Sequence, residues 1–468
     1  MKKAKIQSYH SLHIDENKCM GCSHCMKTCP TQAIRLVDGV AVMQLEKCID
    51  CGRCYSECPV KAISIMQDDF EEIRKFEHSV ALVPAVFLAQ FPDEVRVSRI
   101  YAALKDLGFA HVFEVESAAS LYALAKERYA MEHTDIRPLI SAFCPTIVRL
   151  IQVKYPSLVE NIMPLRAPCD ISAMYARKKL EERGIPAEQI GLFYVTPCAA
   201  KIAAVKSPVS DEEMLVDGVI NMDVLFNRVY HRIKGQRKDY VFPQLRTPRL
   251  SADAILSTLN NGERRICRAK RSYAVDGLES VMEILDKVEN EEMEGVEFLE
   301  LRSCNMSCAG ATLSIDNRFI SSERMYLRAR KAAERERNGE MARDREMEKY
   351  KDKLLANVEL EPVEARNSMA LDSDIGKALE KMERIHKLTD GLPRIDCGLC
   401  GAPTCEALAT DVVCGRGRLD NCIFVRYTKQ DKGKMQLSEA HQIMFRIWGQ
   451  KRVKDDLEKE VEDYDAKD

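Results

Sequence analysis

Between about Glu77 and Ile320, apolar residues come in short runs separated by amphipathic stretches. HSVALVPAVF (78–87), HVFEVE (111–116), PLISAF (138–143), GLFYVT (191–196) and VEFLEL (296–301) read as buried strands. SAMYARKKLEERG (172–184) and SVMEILDKVENEE (280–292) carry apolar positions at 3.6-residue spacing and read as helices. Strands alternating with helices predict a mostly parallel α/β domain. From Ser321 to Leu355 the pattern dissolves into Arg, Glu, Lys and Ala, which predicts a solvated helix held by side-chain pairs. Glu359 to Leu388 reads as a linker and a short helix. The tail, residues 426–468, is charged and helical, with one apolar edge of Ile443, Phe445, Ile447 and Trp448. Such an edge either packs on the protein itself or docks a partner or a second copy. The most apolar run, Val80 to Phe91, is too short to span a bilayer and contains Pro84.

Composition narrows the class. At 468 residues the chain is long enough for two to four domains. A net charge of −3 provides no bulk basic field, so neither nucleic acid nor a membrane surface is expected as a partner. Nineteen cysteines would mean disulfides in a small secreted chain. Here the first residues hold no apolar export segment, so reduced thiols in the cytoplasm are expected, with an anaerobic host as a tendency.

The cysteines are not scattered. Cys19, Cys22, Cys25 and Cys29 read C-x2-C-x2-C-x3-C before Pro30, and Cys48, Cys51, Cys54 and Cys58 repeat the run before Pro59. Zinc or a disulfide framework is the rival reading of such a set. In the α/β region, Cys144 (SAFCP), Cys198 (TPCAAK), and Cys304 and Cys308 (SCNMSCAG) each follow a predicted strand. That is the edge of an open α/β sheet where ligands bind. Singly each would be a small buried hydrophobe; together they look like ligands. Cys397, Cys400, Cys405 and Cys422 form a third set, C-x2-C-x4-C-x16-C, for which zinc is again the alternative. Gly398 and Gly401 allow its tight loop, and a helix after Pro403 can aim its N-terminus at an anionic cluster. Cys169, Cys267 and Cys414 are left over.

The doubled N-terminal run resembles bacterial ferredoxins, in which the fourth cysteine of each run serves the other cluster. That resemblance implies one 4Fe–4S cubane on Cys19, Cys22, Cys25 and Cys58, and another on Cys48, Cys51, Cys54 and Cys29. The order SAFCP, TPCAAK, SCNMSCAG resembles the three signature segments of the iron-only (FeFe) hydrogenases, over roughly residues 79–325. It implies an H-cluster: a cubane held by Cys144, Cys198, Cys304 and Cys308, joined through Cys308 to a two-iron unit carrying CO, cyanide and a dithiolate. Lys201 would hydrogen-bond one cyanide and the backbone at Pro84 and Ala85 would bind the other. The third set resembles the small single-cluster domain of anaerobic redox proteins. The expected layout is therefore a ferredoxin domain at 1–78, an H-cluster domain at 79–325, a charged helix and linker at 326–390, a single-cluster domain at 391–425 and the tail. The cofactor set is four cubanes plus the two-iron unit.

The departures from the family pattern are equally specific. The proton-passing cysteine that precedes the position of Cys144 is Phe143 here. The two glutamates of the proton path align with Lys126 and Tyr129, and its serine with Met163. Two usual methionines are Thr196 and Arg302. Cys169 aligns beside the two-iron unit and is a candidate catalytic thiol. An intact cradle without a proton wire resembles the divergent, sensory hydrogenases: slow, reversible H2 oxidation rather than bulk turnover. The rivals are a metabolic ferredoxin-linked hydrogenase with a different proton path, and an iron–sulfur protein that never acquires the two-iron unit. Expected partners are H2 and protons, a redox protein such as ferredoxin, maturation factors, and a signalling partner or homodimer.

Overall fold

A computed structural model describes residues 9–207, 214–235, 250–267, 269–339, 347, 349–366, 370–372 and 374–450. The chain divides into two compact units. Unit 1 is built on residues 66–365, with short pieces from 1–11 and 49–51, and unit 2 on residues 12–48, 52–65 and 366–468.

Unit 1 is the α/β body. Its first sheet is four-stranded and parallel, in the order His111–Glu114, His78–Val83, Ile190–Thr196, Gly218–Asn221. Val80, Leu82 and Val83 are fully buried, as β-branched and Leu-rich strands covered on both faces should be. A second parallel sheet runs Ser272–Asp276, Phe298–Arg302, Leu139–Ile140. All five strands expected from the pattern are present. Gly218–Asn221 and Ser272–Asp276 were not expected, being short, with the second only partly buried and lacking a clean alternation. The helices Pro168–Glu181 and Leu278–Glu289 fall where the 3.6 spacing puts them.

The charged region differs from its expected solvated helix. Arg318–Arg337 is a helix, but it buries a face of Ser321, Ser322, Met325, Ala329 and Ala332, and Arg328 pairs with the buried Glu114. Further on, Leu354 of the helix Lys351–Leu355 joins the apolar cluster around Phe143 and Tyr175. Among the described residues no helix is long and apolar enough to cross a membrane.

Unit 2 joins two cysteine-rich segments from distant parts of the chain. The first contributes an antiparallel pair, Leu12–Ile14 with Ile63–Ile65, and a hairpin, Ile34–Val37 with Val40–Met43. The second contributes the helices Ile375–Asp390, Cys405–Val413, Ile423–Asp431 and Leu437–Trp448. Backbone bonds tie them: Leu36 N–H to Gly401 O (2.9 Å), Asp38 N–H to Arg446 O (2.7 Å) and Gly39 N–H to Ile447 O (3.0 Å). The buried Arg35 pairs with Asp411 at 2.5 Å. A Cβ on Gly39 would lie 2.6 Å from Trp448 O, so only glycine permits this approach. The apolar edge of the last helix therefore packs on the protein: Ile443 and Ile447 are buried, and Trp448 Nε1 donates to Leu399 O at 3.0 Å. That edge is not a free docking surface. The rest of the tail, residues 451–468, lies outside the described residues.

Candidate metal centres

The two N-terminal cysteine runs turn in the same way. Gly21 and Ser23 have φ of 59° and 67°; their counterparts Asp50 and Gly52 have 50° and 76°. Left-handed residues between successive cysteines let three thiols converge from one short loop. The fourth cysteine of each run takes a backbone N–H at its sulfur, from Ala33 to Cys29 and from Ala62 to Cys58, both at 3.2 Å. Ala41 N–H reaches Cys19 Sγ at 3.4 Å. Burial pushes the Cys25 thiol up to about 12, with Cys19, Cys22 and Cys58 adding to it. Cys58 of the second run thus stands with the first three cysteines of the first run. Cys48 and Cys54 are buried and Cys51 half-buried. His24, inside the first loop, is exposed.

In the third set, Cys397, Cys400, Cys405 and Cys422 line one small pocket. Cys405 opens the helix Cys405–Val413, capped by Thr404, and Cys422 caps the helix Ile423–Asp431. Two helix N-termini therefore face the pocket, favouring an anionic occupant. Burial raises Cys400 to about 11. Cys414 stands at the far end of its helix, away from this set.

The central cysteines arrive from both sheets of unit 1. Cys144 caps the helix Pro145–Lys154 after one strand, and Cys198 caps Ala199–Lys206 after another. Cys304 and Cys308 follow Phe298–Arg302, on a turn where Met306 and Ser307 take positive φ. The four act on one another electrostatically. Burial pushes Cys198 up to about 12, with Cys308 and Cys144 adding to it, and pushes Cys304 well above its usual value, with Cys198, Cys144 and Cys308 all adding to it. Lys201 sits on the first turn after Cys198. Burial works against its charge, yet Cys308 and Cys198 hold its pKa above the ordinary lysine value.

Phe143, next to Cys144, is buried with two cations close to its ring. The Lys201 ammonium lies 4.5 Å from its ring centroid and the Arg302 guanidinium 3.6 Å. Behind it lies a buried polar network. Glu263 accepts from Lys126 (2.7 Å), Arg302 (2.7 Å) and Ser141 (2.8 Å), and Ser141 Oγ also takes the Phe143 N–H (3.2 Å). Burial opposes the charge of Glu263, but Lys126 and Arg302 keep its pKa below the usual range. Lys126 is thus a structural cation, while Tyr129 stacks on His133. The sequence offered no spacing signal for Glu263, whose partners are 137 and 39 residues away.

A second missed residue is Glu116. It lines a pocket with Phe143, Cys169, Asp170, Tyr194 and Lys201. Burial, then Glu114, raises it to about 7, and burial raises Asp170 to about 6. Cys169 is held well above its ordinary value by burial, so it is a thiol rather than a thiolate. Ala85 N–H, expected to face a ligand, donates to Glu116 Oε2 at 2.7 Å, and Pro84 caps the short helix that follows. The thiol sets, the N–H groups turned toward sulfur and the buried cations fit anionic iron–sulfur groups. So do buried polar atoms with no partner among the described residues: Tyr194 OH, Thr196 Oγ1, and Nε and Nη1 of Arg302.

Comparison with known proteins follows the same division. Residues 77–232 match the iron-only hydrogenase large subunit, C-terminal domain; residues 11–59 match the 4Fe-4S dicluster domain; residues 392–424 match an Fe-S cluster family. The periplasmic Fe hydrogenase large subunit of Nitratidesulfovibrio vulgaris is 32% identical over 219 residues, which cover 42% of this chain and 52% of that protein. Iron hydrogenase 1 of Clostridium pasteurianum is 24% identical over 211 residues, 44% of this chain and 35% of that one. The chain thus spans about half, or less, of the length of these relatives. A solved FeFe-hydrogenase structure from Chlamydomonas reinhardtii aligns with a TM-score of 0.46 at 14% identity, covering 64% of this chain and 98% of that one.

Proposed function

We propose that this chain, with its 4Fe-4S dicluster match at residues 11–59 ahead of its iron-only hydrogenase match at residues 77–232, is a slow enzyme that reversibly oxidises H2, passes the electrons through 4Fe–4S clusters and serves as an H2 sensor in the cytoplasm. The observation that carries this reading is the contrast at one point of unit 1. Four thiols and Lys201 gather around a cradle, while the adjoining relay position is Phe143, which cannot titrate and is covered by two cations.

Cys144, Cys198, Cys304 and Cys308 would hold the cubane, and Cys308 would bridge to the two-iron unit. When bound, that unit supplies the centre at which H2 is split. Lys201, half-buried beside Cys198, would offer its ammonium to one of its cyanides. Phe143 excludes water from the thiol side and takes no proton. Cys169, a protonated thiol in the same pocket, can give and take one. The remaining twelve ligand cysteines would hold two ferredoxin-type cubanes and one C-terminal cubane, leading to a redox protein such as ferredoxin. Maturation factors would deliver the two-iron unit, and sensing requires a signalling partner or a second copy.

A metabolic hydrogenase with another proton path is the second reading. It is favoured by Glu116, a carboxyl poised near neutrality in the pocket that also holds Cys169 and Lys201. Infrared spectra and H2/D2 exchange rates of the matured chain test these readings together. CO and cyanide bands with slow exchange are expected. Fast exchange would favour the metabolic enzyme, and absence of those bands after maturation would leave an iron–sulfur protein without the two-iron unit.

A further inference from the structure

Arg302 is 2% exposed and lies two residues before Cys304. Its polar contacts all run through one nitrogen. Nη2 donates to Glu263 Oε1 (2.7 Å) and Ser257 O (3.0 Å) and stands 3.5 Å from Glu300 Oε1. Nε and Nη1, which carry three of the five guanidinium N–H groups, have no partner among the described residues. Buried N–H groups are rarely left orphaned unless something outside the chain satisfies them. A purely structural counter-ion is a poor account of this residue. Glu263 is already answered by Lys126 at 2.7 Å, so one carboxylate is shared by two cations, and Glu300 is more distant. The guanidinium is pinned by stacking 3.6 Å from the Phe143 centroid, and Cys308 and Cys144 are among the charges that act on it.

We propose that Arg302 is a fixed cationic hydrogen-bond donor to the iron–sulfur group of Cys144, Cys198, Cys304 and Cys308, and that it makes this group easier to reduce. The inference rests on the reading of those four cysteines as cluster ligands. Reduction adds one electron, from the neighbouring clusters or an external reductant, and hence one negative charge; no bond to the protein forms or breaks and no proton moves. A permanent cation with free N–H groups stabilises the reduced form more than the oxidised one. The side chain cannot lose its charge at any ordinary pH, so the bias is constant.

The test uses the full chain reconstituted with iron and sulfide, without the two-iron unit, titrated with dithionite and followed by EPR. The central cubane's signal is identified by its loss in Cys304→Ser. Arg302→Met should lower its reduced-to-oxidised ratio about tenfold at fixed potential, a downward shift of about 59 mV for a one-electron couple. The ferredoxin-type and C-terminal signals should stay in place as internal references. Arg302→Lys, which keeps the charge and loses the fork, should shift less. If Arg302→Met does not fold, Arg302→Met with Glu300→Gln restores the local charge balance, and a downward shift smaller than tenfold, left by the lost N–H donors, is expected; an unmoved midpoint there overturns the donor role. An unmoved midpoint in a folded, fully loaded variant overturns the proposal. A wild-type chain that takes up no cubane at these cysteines overturns instead the ligand reading beneath it.

Discussion

The cysteine-rich unit and the α/β unit both collect thiols in places poor in water, and they offset the negative charge by different means. Unit 2 uses neutral dipoles: the amides of Ala33, Ala41 and Ala62 point at Cys29, Cys19 and Cys58 respectively, and two helix N-termini face the C-terminal set. Unit 1 uses whole charges, with Lys201 and Arg302 standing over Phe143 and a buried network behind them. Amide dipoles come with any tight cysteine loop, so the motif brings its own compensation. A buried guanidinium has to be supported by residues elsewhere in the chain, here Glu263, Glu300 and Ser257. The central site is therefore the more specialised of the two and depends on more of the surrounding structure.

That contrast can be broken at several points. Cys308→Ser should abolish the CO and cyanide infrared bands of the matured protein altogether, while leaving the ferredoxin-type clusters intact by EPR. Deleting residues 437–468 should act on the other unit alone, lowering its cluster content and solubility, because Ile443 and Ile447 belong to its core and Trp448 bonds Leu399; H2 chemistry in a matured, soluble fraction should persist. Glu263→Gln leaves Lys126 and Arg302 short of their shared carboxylate and should cost about 3–5 kcal/mol of unit 1 stability in denaturant titration.

The pH dependence gives a finer probe. Glu116 rises from 4.5 to about 7, so the folded state binds its proton more tightly than the unfolded chain. Its contribution to stability is complete below about 4.5 and is lost as pH rises through about 7, roughly 3 kcal/mol in all. Glu116→Gln should flatten unit 1 stability over that window. The smallest expected effect is kinetic. Phe143→Cys should raise turnover, well short of the roughly 10²–10⁴ that a positioned acid–base group contributes, because Lys126 and Tyr129 leave the rest of the path closed.

What could be read from the sequence was whatever is local. The two C-x2-C-x2-C-x3-C runs are each a single loop, and runs such as GLFYVT become buried strands because a β-branched stretch between turn residues has few alternatives. The position of the central cysteines at strand ends was legible for the same reason. The Glu263 network was not, since its members lie on separate elements with no shared period, and a glutamate in NNGERRIC looks like any solvated one. The same holds for Glu116, and for Arg35 and Asp411, whose pairing unites segments that the linear order keeps 376 residues apart. The tail helix showed its apolar edge plainly, but not the hairpin at Gly39 on which it lies.

The make-up of unit 2 also has a consequence in time. Its early segments end at Ile65 and its late one starts at Arg366. At 5–20 residues per second, the roughly 300 residues between them occupy a ribosome for about 15–60 s. Throughout that interval the hairpin has no Gly401, Arg446 or Ile447 to bond, and Arg35 has no Asp411. The α/β body is completed first, and the first-made cysteine loops are the last to be enclosed. In the living cell, the newborn chain's exposure to oxygen and to stray metal is set by the length of the domain inserted between the two halves of unit 2.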